Sequence, residues 1–252
     1  MKKIIAMLMA LMLAMSCIAV FASCDKNEEE KPVIKMATNA YFKPYEYYDG
    51  DKIVGIDAEI AAAIAEKLGM ELEIVDMEFD SIITAVNEGS VDFGMAGMTV
   101  TEKRLEEVDF SISYANGVQA IIVKEGSPIT CADDLYAEGA NYKVGVQLGT
   151  TGDIYATDDF GSENVTTYSN GNEAVLALLG GSVDCVIIDN EPAKALVAAN
   201  AGLKILDTSY ANEDYAICIK KGNAELLEKI NNAIMELTDD GTIQGIINKY
   251  IK

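Results

Sequence analysis

The 252-residue chain has no histidine and no tryptophan, and its single arginine is Arg104. Without histidine, Ser–His and Cys–His nucleophile pairs are excluded, along with the commonest metal ligand. Neither a cofactor nor a metal is expected. Positive charge is scarce too: 19 Lys and Arg stand against 41 Asp and Glu, a net charge of −22. That balance excludes nucleic acid, whose phosphates demand a positive face. It also keeps the chain soluble and repelled from an anionic membrane surface. Cysteine is sparse, at five residues, and the spacing of Cys131, Cys185 and Cys218 fits neither a zinc site nor a disulfide framework. Cys185 and Cys218 sit inside apolar strand-like runs and read as small core residues, whereas Cys131 stands where a helix cap would sit.

What is present begins with Lys2 and Lys3, followed by an apolar run from Ile4 to about Val20. A charged start, an apolar middle and small residues before Cys24 describe a secretory signal. An uncleaved anchor is the alternative, since the run is just long enough to span a bilayer. Phe21-Ala-Ser-Cys24 resembles the lipobox of bacterial lipoproteins, in which the Cys becomes the acylated first residue. Val20-Phe21-Ala22 also suits ordinary signal peptidase, which would release a periplasmic or secreted protein from Ser23. The lipoprotein reading is preferred, because the charged stretch Asp25–Pro32 follows at once and makes a good tether. The expectation is a signal over 1–23, lipidation at Cys24 and a tether over 24–32, holding the protein on the outer face of the cytoplasmic membrane.

The remaining chain alternates short β-branched runs with helical patterns, which argues for parallel sheets flanked by helices. Strands are predicted at Val33–Thr38, Glu71–Val75, Val91–Ala96, Ala120–Lys124, Tyr142–Gln147, Asn164–Tyr168, Val183–Ile188 and Asp214–Lys220. The clearest helix is Asp57–Leu68, with Ile60, Ile64 and Leu68 on one face and Gly69 as its stop. Ala224–Tyr250 reads as two helices broken at Asp239-Asp240-Gly241.

Two internal echoes organise the chain. Ile82–Asp92 and Val175–Asp184 are each a helix, a Gly-Ser stop and a buried strand beginning Val-Asp, which aligns Gly97 with Asp189. Lys35–Asn39 echoes Lys143–Gln147, placing Asn39 and Gln147 at the ends of two first strands. Two echoes in the same order suggest two similar lobes. Ligands of open α/β sheets bind outside the carboxyl ends of strands, so facing lobes bring Asn39, Gly97, Gln147 and Asp189 to one cleft.

The run Val54-Gly-Ile-Asp-Ala-Glu-Ile, continuing to Gly69, resembles the signature helix of bacterial extracellular solute-binding proteins, family 3. Ala96–Arg104 with Val108–Ser111, Gln147–Gly152, Asp184–Asp189 and the closing Asp240–Ile243 and Asn248–Tyr250 match further blocks in order. The resemblance implies an amino-acid receptor of an ABC importer, a binding protein rather than an enzyme, with a two-lobed type II periplasmic-binding-protein fold. It implies lobe 1 over 33–113 plus 217–252 and lobe 2 over 118–213, with hinges near 113–118 and 213–217. The partners are then a small-molecule amino acid and the permease subunits of the importer, with the receptor itself a monomer.

A carboxylate taken from water needs a fixed cation with fork-shaped donors, which Arg supplies better than Lys. By the resemblance, Arg104 holds the ligand α-carboxylate and Asp189 the α-ammonium. Thr99 stands just ahead of Arg104, and Thr150 and Thr151 lie where a helix begins, with exposed N–H groups suited to the same carboxylate. Phe42 and Phe79 match aromatic walls around the ligand side chain, and Tyr41 flanks them while Tyr45 reads as structural. Each has a plainer alternative: a solvated helix face for Arg104, a helix cap for Asp189 and the threonines, a core position for Phe79. Asn39 and Gln147 are neutral, which favours a neutral polar ligand side chain unless Glu46 or Asp80 reaches in. The competing function is a prephenate or arogenate dehydratase-like enzyme on the same fold, which needs a second cation in the cleft and a general acid. A sensor domain acting through a separate partner is a further alternative.

Overall fold

The computed structural model describes Lys31–Ile251 apart from Thr208 and Ser209. The leader, Cys24 and nearly all of the tether lie outside the described residues. The chain runs through β1 (Val33–Thr38), β2 (Tyr41–Phe42), β3 (Glu46–Asp49), β4 (Lys52–Val54), α1 (Ile56–Lys67), β5 (Glu71–Asp76), α2 (Ile82–Glu88), β6 (Phe93–Gly94), α3 (Glu102–Glu107), β7 (Val108–Phe110) and β8 (Ala115–Lys124). It continues through β9 (Val144–Gln147), α4 (Thr151–Phe160), β10 (Val165–Tyr168), α5 (Gly171–Gly180), β11 (Cys185–Asp189), α6 (Asn190–Ala199) and β12 (Leu203–Ile205). The last elements are β13 (Ala211–Tyr215), β14 (Cys218–Lys220), α7 (Ala224–Asp239) and α8 (Thr242–Tyr250).

Two sheets carry the molecule. The first has the order β5-β1-β6-β14-β7; the second has β10-β9-β11-β8-β12, with β13 also paired to β8. In both, the first three strands are parallel and the fourth runs against them. The sheets are therefore mixed rather than purely parallel. Their antiparallel members, β8 and β14, come from the stretches where the chain passes between sheets, so they arrive from the opposite direction.

The run expected as one strand over 214–220 is divided: residues to Tyr215 pair with β8, and Cys218 onward pairs with β6 and β7. Hydrophobic pattern alone could not place that break, because Tyr215, Ala216, Ile217, Cys218 and Ile219 are all fully buried. The strand expected over 91–96 keeps only Phe93–Gly94 in the ladder, because the backbone turns at Gly97 with φ +52°. The small hairpin β2-β3-β4 was not anticipated.

Helix α1 forms as its pattern requires, with Ile60 and Ile64 fully buried, Leu68 packed at the edge of the core, and Gly69 turning left-handed at φ +69°. The terminal pair α7 and α8 breaks at Gly241, where φ is +80°. Cys185 and Cys218 are fully buried free thiols, each pushed up to about 12 by burial, and Cys131 caps the short 3-10 turn Ala132–Tyr136.

Candidate functional site: a charged cavity between the two sheets

The strand ends of both sheets converge on one small, nearly filled cavity. Asn39, Phe42, Phe79, Gly97, Thr99, Arg104, Gln147, Thr150, Thr151 and Asp189 all line it, so the expected residues other than Tyr41 are brought together. Glu46 and Ala96 complete the lining.

Arg104 is 6% exposed and points inward from α3. Its Nη1 donates to the Thr99 carbonyl at 2.6 Å and its Nη2 to the Gly149 carbonyl at 3.0 Å, and its guanidinium lies over the Phe79 ring at 5.3 Å. A guanidinium carries five N–H donors, so these two bonds fix the fork and leave donors for an anion. The solvated-face alternative fails for Arg104. The helix cap here is Thr101, whose side chain accepts from the Arg104 N–H, which releases Thr99 from that duty.

Thr150 does act as a cap: its hydroxyl accepts from Asp153 N–H and donates to the Gln147 carbonyl. Thr151 follows as the first residue of α4 and is 3% exposed. The Gly97 N–H donates to Asp57 at 2.8 Å rather than into the cavity. Phe79 is both wall and core, since it also packs with Ile82 and Val108. Tyr41 is 49% exposed and stacks edge-on against Tyr48 outside the cavity, so it does not flank the site, whereas Tyr45 is buried.

Asp189 occupies the cap position of α6, yet its side chain makes no cap hydrogen bond. Its carboxylate instead accepts from Tyr215 Oη and from Gln119 Nε2, the latter at 2.8 Å. Burial, then the nearby Glu213 carboxyl, push Asp189 up to about 8. Glu213 accepts from the same Gln119 amide at 2.9 Å. The pattern reading missed Gln119, Glu213 and Tyr215, all on the crossing strands β8 and β13.

Asn39 and Gln147 meet directly: Gln147 Nε2 donates to Asn39 Oδ1 at 2.9 Å and to the Ser169 carbonyl at 3.1 Å. Asn39 Nδ2 donates to the Met77 carbonyl at 2.9 Å. These amides tie one sheet to the other. Of the two acids that could have reached in, Asp80 is exposed and absent from the lining, whereas Glu46 is fully buried at the cavity wall. Both Glu46 carboxyl oxygens lack a hydrogen-bond partner among the described residues.

The sequence model of the bacterial extracellular solute-binding proteins, family 3, matches residues 34–252. The chain belongs to that family. It is 33% identical over 260 residues to the arginine-binding extracellular protein ArtP of Bacillus subtilis (strain 168), covering 99% of this chain and 98% of ArtP. Other relatives in the family are named for cystine, histidine and glutamine. Among solved structures, an ancestral arginine-binding protein bound to arginine superposes with a TM-score of 0.81 at 41% identity, covering 88% of this chain and 100% of that one. An ancestral arginine-binding protein bound to glutamine gives 0.82 at 41% identity, covering 88% of this chain and 98% of that one. The fold is thus the two-lobed periplasmic amino-acid-binding type, and the family's members are extracellular solute-binding proteins of ABC transporters rather than enzymes. Among the described residues no helix is long and apolar enough to cross a membrane.

Proposed function

We propose that the chain is the receptor of an ABC importer for an α-amino acid with a positively charged side chain. The single observation that carries this reading is the charge pattern of the cavity. Arg104 enters from the first sheet's side, Asp189 from the second's, and Glu46 stands at the wall with both oxygens unpartnered. Arg104 takes the α-carboxylate, helped by the N-terminus of α4 around Thr151. Asp189 takes the α-ammonium. Glu46 takes the side-chain cation, since a buried carboxylate needs a charge partner. The arginine-binding names among the relatives agree with this pattern.

In this reading lobe 1, 33–113 with 217–252, and lobe 2, 118–213, close on the ligand by hinge motion at 113–118 and 213–217. Phe42 and Phe79 then wall the aliphatic stem. The closed receptor, a monomer tethered through acylated Cys24, presents its ligand to the permease subunits.

A neutral polar ligand is the second reading, favoured by the amides of Asn39 and Gln147 and by the glutamine complex of the ancestral relative. A dehydratase-like enzyme would need a second cation for a second carboxylate, and among the described residues Arg104 is the one cation in the lining.

A thermal-shift screen with arginine, lysine, histidine, glutamine, cystine and prephenate tests these readings. Arginine at a hundred times its dissociation constant should add about 2.7 kcal/mol of stability. A shift with glutamine and none with arginine favours the second reading, and a shift with prephenate alone overturns both.

A further inference from the structure

Glu46 and Asp57 form an acid pair beside the cavity. Glu46, on β3, is fully buried with both oxygens unpartnered. Asp57, in the first turn of α1, is also fully buried. One of its oxygens accepts from Gly97 N–H and Tyr114 Oη, each at 2.8 Å, and the other has no partner among the described residues. The two carboxyls are both buried, each keeps oxygens that no donor among the described residues reaches, and they stand on backbone segments bonded to one another.

The pairing does not depend on lobe closure. Ile56 N–H bonds to the Pro44 carbonyl at 3.1 Å and Asp57 N–H to the Tyr45 carbonyl at 2.9 Å, so the start of α1 is stitched to the chain entering β3.

Among the described residues, the titratable groups facing the pair bring no positive charge. Asp189 acts from β11, Asp76 from the end of β5, Tyr114 from the segment before β8, and Tyr45 from the residue beside Glu46. The groups acting most strongly on Arg104 are Glu213, Cys218, Tyr155 and Asp189, not this pair. Two adjacent carboxylates without a cation do not both ionise in a dry site. One shared proton relieves the repulsion and supplies a donor where none exists.

We propose that the Glu46–Asp57 pair holds one proton in the unliganded receptor, and that the ligand's side-chain cation enters against Glu46 in exchange for it. The acid O–H breaks and its proton leaves to solvent, so charge balances at the wall. Burial first, and Asp57 second, hold Glu46 well above the ordinary carboxylate range, and burial raises Asp57 to about 6. The inference rests on the cationic-ligand reading above. It makes the pair a specificity device: a cation displaces the proton and a neutral side chain does not. Discrimination between arginine and glutamine then grows about tenfold per pH unit while the proton is bound.

Calorimetric titration at pH 7 in buffers of different ionisation enthalpy counts the protons released. Arginine, whose guanidinium stays charged throughout, should release about one proton more than glutamine. Glu46→Gln, checked for folding by its melting curve, should abolish that difference and weaken arginine more than glutamine. Arginine binding with the same proton count as glutamine overturns the exchange and leaves the cationic reading standing. Glutamine binding without arginine binding overturns the cationic reading itself. An E46Q protein that binds arginine as tightly as the parent overturns both.

Discussion

At the start of the third parallel strand in each sheet, an aspartate brackets a lysine on the neighbouring strand's approach. Asp92 N–H donates to the Lys35 carbonyl at 2.9 Å and its Oδ2 accepts from Lys35 N–H at 2.7 Å. Asp184 N–H donates to the Lys143 carbonyl at 2.7 Å and its Oδ2 accepts from Lys143 N–H at 2.8 Å. The preceding helices end alike, on Gly89 at φ +76° and Gly181 at φ +80°. Five residues beyond the aspartates the halves part: Gly97 turns the backbone towards α3 and Arg104, whereas Asp189 keeps a buried carboxylate aimed at the cavity. A shared frame thus delivers a cation-bearing segment from one half and an anion from the other. In the reading proposed above, that asymmetry is what would let the cleft recognise a molecule with opposite charges at its two ends.

Removing the cation should have the largest effect. Arg104→Ala should cost about 3–5 kcal/mol of amino-acid binding, as for breaking a buried charge pair, and near-normal affinity by calorimetry would remove Arg104 from the site. Removing the anion comes next. Asp189→Asn keeps the shape and should cost about 1.5–3 kcal/mol, the range for hydrogen bonds to charged groups.

Asp189 also sets a pH dependence. Its acid form persists up to about 8 in the folded protein but only to about 4 in the unfolded chain, so the ligand-free fold binds the extra proton between those values. Ligand-free stability should therefore be full below that window and fall as pH rises through it. The ligand ammonium neutralises the carboxylate, so the ligand-induced rise in melting temperature should be larger at pH 8 than at pH 5. An equal rise at both would place the ammonium elsewhere.

Much of this frame was legible beforehand, because repeated Gly-Ser stops and Val-Asp starts are local signals, as is the four-residue period of Ile60, Ile64 and Leu68. The residues at the strand ends followed from that frame, and all of them line the cavity. What stayed hidden depends on long-range pairing. Gln119 reaches Asp189 and Glu213 across 70 and 94 residues, and Tyr215 reaches Asp189 across 26. Glu46 was legible only as one of two acids that could reach in: an acid between Tyr45 and Tyr47 has the pattern of a surface residue, and the packing of α1 against its strand buries it.

Two smaller perturbations sharpen the contrast between the halves. A side chain at Gly97 would put its Cβ 2.8 Å from Phe42 Cε1 on a backbone at φ +52°. Gly97→Ala should cost about 1–2 kcal/mol of stability in thermal unfolding, whereas no loss would show that the turn yields easily. Tyr215→Phe removes one donor from Asp189 and should cost about 1 kcal/mol of ligand affinity. Because that hydrogen bond holds the Asp189 pKa down, the acid limb of the binding profile should move to higher pH. An unmoved limb would make Tyr215 a packing residue only.

In the proposed reading the cavity engages both ends of an α-amino acid at once. Calorimetric titration with arginine, with agmatine, which lacks the carboxylate, and with N-acetylarginine, which lacks the ammonium, tests it most directly. Arginine should bind, and each analogue should be weaker by roughly tenfold to a hundredfold, the equivalent of one lost charged hydrogen-bond set. Agmatine or N-acetylarginine binding as tightly as arginine would show that the cavity does not engage both ends.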